Sequence, residues 1–174
     1  STLKKNKNII SLVKAFEKIQ SNINHDLYIV GDYHSIKDKD IEALRLINNN
    51  KKIHLLGNIP KNKLNKLYKR ARILVHPSKY EGFGYPPIEA MSFGCPVISS
   101  SKASLSEICK DAVLYIDTDN INDISDKITY LINNQNIQRQ LIDKGYEVIK
   151  LYDLNSTIEK TYDYIKEIII WKSQ

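Results

Sequence analysis

Two glutamates, Glu81 and Glu89, lie eight positions apart, and the residues between them favour a ligand that carries both hydroxyls and phosphates. The Gly-aromatic-Gly turn at 82–84 lets a ligand come close to the backbone, because glycine has no side chain. The Pro-Pro pair at 86–87 can open a helix, whose first N–H groups and positive dipole end attract an anion. The two carboxylates can accept hydrogen bonds from sugar hydroxyls. The stretch therefore predicts a binding site for a phosphate-bearing sugar.

Short apolar runs alternate with amphipathic segments along the chain. Strands are predicted at 27–31, 53–57, 73–76, 97–99 and 112–116, and helices at 8–23, 37–48, 61–71, 88–93, 105–109, 121–133, 136–150 and 155–171. Gly94 is expected to end the helix at 88–93. This order predicts an α/β fold with a Rossmann-like parallel sheet covered by helices on both faces. Ligands bind at the carboxyl ends of such strands, and the loop at 77–85 follows one of them.

Length and composition predict one domain, residues 1–174. The hydrophobic content of 42% is ordinary for a globular protein, and no apolar run approaches the ~20 residues that span a bilayer. The polar N-terminus predicts no signal peptide, and the two cysteines form no disulfide framework, so a cytoplasmic location is expected. The first helix follows the N-terminus almost directly, without the strand that normally leads a doubly wound sheet. We therefore expect a piece of a longer protein, or a protein without that strand.

The net charge of +6 is unevenly distributed. Lys and Arg outnumber Asp and Glu by 17 to 6 in residues 1–80, whereas the ratio is 9 to 14 in residues 81–174. The basic half could attract a phosphate-bearing ligand or a polyanion, although the charge by itself favours a solvated lysine-rich surface. The basic cluster at 61–72 is interpreted as a solvated helix face, with a peripheral contact to an anionic membrane as the secondary alternative. Nucleic acid is disfavoured because the aromatic residue within the cluster, Tyr68, is predicted on the inner face of its helix, so no stacking platforms interleave with the basic side chains.

Six blocks in order carry a family resemblance. They are the KN pair at 7–8 with the helix after it, LYIVG at 27–31, LGNI at 56–59 with LYKRA at 67–71, PSKYEGFG at 77–84, IEAM at 88–91, and GCPVI at 94–98 followed by Glu107. Together they resemble the C-terminal half of family 4 retaining glycosyltransferases (glycosyl transferases group 1). These enzymes have the GT-B architecture of two Rossmann-like domains.

The resemblance implies a role for each matching residue. Glu81 would contact the hydroxyls of the donor sugar, and Glu89 would bind the ribose of the nucleotide. The backbone N–H groups of Gly82, Phe83, Gly84 and Tyr85 would face the sugar and the diphosphate. Lys7 would neutralise the diphosphate as it departs, which is electrostatic stabilisation of a leaving group. The backbone near Ile59 would meet the base. No metal or other cofactor is expected, and the substrate would be a UDP- or GDP-sugar.

The sequence also departs from the family pattern. Thr2 stands where many members have an Arg, so a second cationic clamp depends on Lys4 or Lys5. The resemblance implies that the family's N-terminal domain, which would bring a glycan or lipid acceptor, lies outside these residues, so the chain alone is expected to turn over little or nothing. A last helix at about 153–172 is expected to pack partly outside the domain, and the inner face of a membrane is an alternative location.

Two other function classes stay open from the sequence. One is a nucleotide-sugar epimerase of similar architecture, which would need a histidine- and arginine-rich site instead of paired glutamates. The other is a non-catalytic module that binds anions or a membrane. Titration with nucleotide sugars, against a random oligonucleotide, separates these classes.

Overall fold

The computed structural model describes residues 5–32 and 41–152. The strands of this part are Leu27–Val30 (β1), Ile53–Gly57 (β2), Leu74–His76 (β3), Val97–Ser100 (β4) and Val113–Ile116 (β5). The helices are Ile9–Ile19 (α1), Ile41–Asn49 (α2), Lys61–Arg70 (α3), Tyr85–Ser92 (α4), Leu105–Cys109 (α5), Ile121–Asn133 (α6) and Gln135–Lys150 (α7). A single 3-10 turn, Lys5–Lys7, precedes α1. The helix predicted at 155–171 lies outside the described residues.

The strands form two parallel sheets. β1 pairs with β2, and β4 lies between β3 and β5. Within each sheet, the carboxyl ends of the strands therefore lie at the same edge, as parallel strands joined by βαβ connections require. The predicted α/β class with parallel strands flanked by helices is confirmed.

Apolar residues bury both faces of the strands. One cluster joins α1 and α6 to the sheet through side chains such as Phe16, Ile98 and Leu131. The other cluster packs α4, α5 and α7 against the opposite face, with Met91 and Leu105 almost completely buried. Because β4 is covered on both sides, all four of its residues are buried, and they are apolar or small: Val97, Ile98, Ser99 and Ser100.

Helix α4 begins earlier than the sequence predicted. It starts at Tyr85 instead of residue 88, because the Pro-Pro pair occupies the first turn, where a missing N–H removes no helical hydrogen bond. The predicted stop at Gly94 is confirmed. Gly94 has a φ of 66°, and its N–H donates to the carbonyl of Met91 at 2.9 Å. The early start places Glu89 in the second turn of the helix.

No helix among residues 5–32 and 41–152 combines the length and the apolar character needed to cross a bilayer.

Candidate functional site

Lys7, Glu81, Glu89 and the loop at 82–85 line one cleft of about 1500 Å³. Residues of both sheets line the cleft, among them Ile29 of β1 and His76 at the end of β3. The predicted binding site needs both glutamates in the same cleft, and in the structure both of them line it. Ile59, in contrast, does not line this cleft, so its contact with the base stays a prediction.

The 3-10 turn that carries Lys7 is tied to two loops at the sheet edge. The Asn6 side chain donates to the carbonyl of Tyr80 at 2.9 Å, and the Lys79 N–H donates to the carbonyl of Asn6 at 2.7 Å. The buried Asn8 side chain donates to the carbonyl of Thr118 at 2.8 Å. These contacts explain how a lysine 74 positions away in the chain reaches Glu81.

Glu81 is held by three donors that all reach the same oxygen. Its Oε1 accepts hydrogen bonds from Lys7 Nζ at 2.6 Å, from Ser78 Oγ at 2.6 Å and from His76 Nε2 at 3.0 Å. Burial alone would raise the pKa of this carboxyl, but the bonds from His76, Lys7 and Ser78 outweigh it and lower the pKa to about 2. Glu81 is therefore a fixed anion at neutral pH.

Lys7 keeps donor capacity beyond this ion pair. An ammonium carries three N–H donors, and the bond to Glu81 uses one of them. The side chain is 18% exposed and lines the cleft, so the remaining donors can meet an anionic ligand there.

The loop at 82–84 presents N–H groups because its carbonyls are held from behind. The Ser104 hydroxyl is placed between the carbonyls of Glu81 and Phe83, at 2.9 and 3.1 Å. In a trans peptide the C=O and the following N–H point in opposite directions, so the N–H groups of Gly82 and Gly84 point away from Ser104. Among the described residues, none accepts a hydrogen bond from the N–H groups of residues 82–85. Unpaired N–H groups at a helix start form an anion-binding surface.

The two glycines of the loop differ in what they require. Gly84 has a φ of 105°, and a Cβ there would lie 2.6 Å from Leu105 Cδ2. A Cβ on Gly82 would meet nothing within 4 Å. Gly84 therefore fixes the turn into α4, whereas Gly82 leaves open space in front of the backbone.

Glu89 is held much more loosely than Glu81. The hydroxyl of Tyr68, from α3, donates to its Oε2 at 3.2 Å. Burial and the nearby Glu89 carboxylate both raise the pKa of Tyr68, so this hydroxyl stays protonated and remains a donor.

Four side chains at the site were not assigned a supporting role from the sequence. They are His76, Ser78 and Ser104, which hold Glu81 and its loop, and Tyr68, which holds Glu89. The sequence alone favours a structural or substrate-lining role for His76, because it ends a strand beside the loop at 77–85. Its place at the end of a strand, five residues before Glu81, was the available signal.

The described part of the chain contains no group of three or more His, Cys, Asp or Glu side chains arranged to hold a metal ion.

Comparisons with known proteins identify the family and support the fold. Residues 1–148 match the family described as glycosyl transferases group 1, and the chain belongs to that family. It is 30% identical over 170 residues to the O-antigen chain mannosyltransferase B of Escherichia coli, and the matched segment covers 95% of this chain and 44% of that protein.

Two solved structures show the same fold. A glycosyltransferase from Rickettsia africae superposes with a TM-score of 0.84 at 23% identity, over 97% of this chain and 46% of that one. The S. aureus protein TarM, as a mutant in complex with fondaparinux, alpha-GlcNAc-glycerol and UDP, gives a TM-score of 0.79 at 28% identity, over 94% of this chain and 34% of that one. The chain spans about half the length of the curated relatives it matches, at 44% and 46% for two of them.

Proposed function

We propose that this chain is the donor-binding half of a retaining glycosyltransferase, which transfers a hexose from a nucleoside-diphosphate sugar to an acceptor hydroxyl. The observation that carries the proposal is the single cleft in which two carboxylates flank unpaired backbone N–H groups beside Lys7. This pattern of acceptors and donors matches a diphosphate between two hydroxyl-bearing rings.

Each part of the ligand has a matching group in this arrangement. The diphosphate lies on the N–H groups of residues 82–85 at the start of α4, and Lys7 adds a full positive charge. Glu81 accepts from a hydroxyl of the sugar, and Glu89 accepts from the ribose. As the glycosidic bond to the phosphate breaks, Lys7 and the helix start stabilise the negative charge that develops on the leaving diphosphate.

The same groups can stabilise that charge without a divalent cation. We expect EDTA to leave binding of the nucleotide sugar unchanged, as measured by calorimetry before and after the chelator is added. A tenfold weaker interaction after chelation, restored by Mg²⁺, would contradict this.

Titration calorimetry with GDP-mannose and UDP-N-acetylglucosamine tests the function directly, since relatives transfer mannose or N-acetylglucosamine. We expect saturable binding of at least one nucleotide sugar and none of a random oligonucleotide of equal charge. The isolated chain should transfer little or no sugar, because the acceptor side of the cleft belongs to another domain in our proposal. Binding of the oligonucleotide alone would favour a general anion-binding module instead.

Glu89→Ala provides the residue-level test. It should weaken binding of the nucleotide sugar about tenfold, as expected when the protein loses a carboxylate that accepts a hydrogen bond from the ligand. Glu147→Ala is the matched control, because Glu147 is an exposed glutamate on α7 paired with Lys150. Full affinity of the Glu89 variant would contradict the ribose assignment.

A glycan or lipid acceptor and a location at the inner face of a membrane complete the proposal. Helix α3 supports it with five basic residues and no acidic one: Lys61, Lys63, Lys66, Lys69 and Arg70. Sedimentation with vesicles of neutral lipid, with and without anionic lipid, tests this contact.

A further inference from the structure

Within the part of the chain that the structure describes, Glu81 receives hydrogen bonds on only one of its two side-chain oxygens. Lys7, Ser78 and His76 all donate to Oε1, and no described residue donates to Oε2. A carboxylate offers about four acceptor positions across its two oxygens, so Oε2 retains its full capacity for a ligand. The carboxylate is thus fixed at one oxygen and available at the other.

The three donors are not equally suited to keep Oε1 in place once a ligand binds. Lys7 has a flexible stem and a compact charge that a diphosphate would attract. His76, in contrast, closes β3 in register with Ser99 and is 8% exposed. Its imidazole is held by the sheet, and so its bond to Glu81 can persist when Lys7 turns toward a phosphate.

The bond also defines the state of the imidazole. Because an ionised carboxylate only accepts, Nε2 of His76 must carry the hydrogen. A neutral His76 is therefore the Nε2–H tautomer, whereas the alternative tautomer would place two lone pairs against each other.

We propose that His76 is a positioning residue, which fixes Glu81 through Oε1 so that Oε2 faces the cleft and accepts from a hydroxyl of the donor sugar. The inference rests on the proposed function. It adds that His76 controls the part of the affinity that distinguishes a nucleoside-diphosphate sugar from the nucleoside diphosphate alone.

The test compares two ligands on each variant: the nucleotide sugar that the protein binds, and its nucleoside diphosphate without the sugar. His76→Leu should weaken binding of the sugar-bearing ligand about tenfold, as expected for one lost hydrogen bond to a charged group, and leave the bare diphosphate unchanged. His76→Gln should restore most of the loss, because its side-chain amide can again donate to Oε1.

His54→Leu is the matched control, because His54 also lies on a strand and pairs with a carboxylate, Asp26, at 2.8 Å, but does not itself line the cleft. It should change neither affinity. An unchanged ratio of the two affinities in His76→Leu would overturn the inference while leaving the proposed function intact. A protein that binds neither ligand would overturn both.

Nitrogen NMR of the imidazoles in the unmodified chain supplies a measurement that needs no variant. We expect the His76 ring to be in the Nε2–H or doubly protonated form at neutral pH. A ring that carries its hydrogen on Nδ1 alone would overturn the inference.

Discussion

The two ends of the cleft hold their glutamates in opposite ways. Glu81 receives three short bonds on one oxygen, from a strand end, a loop and the turn before α1. Glu89 receives one longer bond, from a tyrosine hydroxyl on α3. The difference indicates that the Glu81 end is organised before a ligand arrives, whereas the Glu89 end can adjust to the ligand. Preorganisation of this kind is what a site needs where charge develops, and less so where a ligand is only held.

The largest expected difference between variants of Glu81 and Glu89 is in the free energy of unfolding at neutral pH. Glu81→Gln should lower the free energy of unfolding by on the order of 2 kcal/mol, because the mostly buried Lys7 loses its counter-charge. Glu89→Gln should change it by less than about 0.5 kcal/mol. Denaturation by urea at pH 7 measures both. Equal losses in the two variants would remove the contrast between the ends.

Lowering the pH should show how much the hydrogen bonds to Glu81 contribute to stability. The pKa of Glu81 in the folded protein, about 2, lies below its ordinary value of 4.5, so its stabilisation is present above pH 4.5 and is lost as pH falls toward 2. Glu81→Gln should flatten the stability curve of the protein over this range. Thermal unfolding at a series of pH values between 2 and 6 provides the measurement. An unaltered slope in the Glu81 variant would show that its bonds contribute little.

The loop between the two ends can be tested through its glycines. Gly84→Ala should destabilise the protein by about 1–3 kcal/mol, because the residue is left-handed and its Cβ would strike Leu105. Gly82→Ala should leave the free energy of unfolding unchanged within about 0.5 kcal/mol. It should nevertheless weaken binding of the nucleotide sugar, since the new methyl group lies where a ligand would approach the backbone. Calorimetry and urea denaturation of both variants separate the two roles. Normal affinity in Gly82→Ala would place the ligand away from this backbone.

The fold was predictable because its signals are local. Continuous apolar runs gave β1 to β5 within a residue or two, and periodic apolar positions gave the helices. The predicted bounds of α4 began at residue 88, so they left out the Pro-Pro pair, although that pair can open a helix and forms the first turn here.

The candidate site was predictable only for those residues that belong to a sequence motif. The grouping of Lys7 with Glu81 links positions 74 apart, Ser104 lies 23 positions after the carbonyl it holds, and Tyr68 lies 21 positions before Glu89. Such contacts depend on how the strands align, and no local pattern records the alignment. A motif identifies the residues that meet a ligand, whereas the residues that position them become visible only when the fold is known.

The smallest expected effect tests the looser end. Tyr68→Phe removes the hydroxyl that, among the described residues, donates to the Glu89 carboxylate, and it preserves the ring, which stacks on Phe93 with centroids 6.0 Å apart. We expect the affinity for the nucleotide to fall about threefold and stability to change by less than about 1 kcal/mol, since the bond is long and its acceptor keeps access to solvent. Titration with the ribonucleotide diphosphate and its 2′-deoxy form should show the loss mainly for the ribose form. If both forms lose affinity equally, Tyr68 acts on the shape of the cleft and not through Glu89.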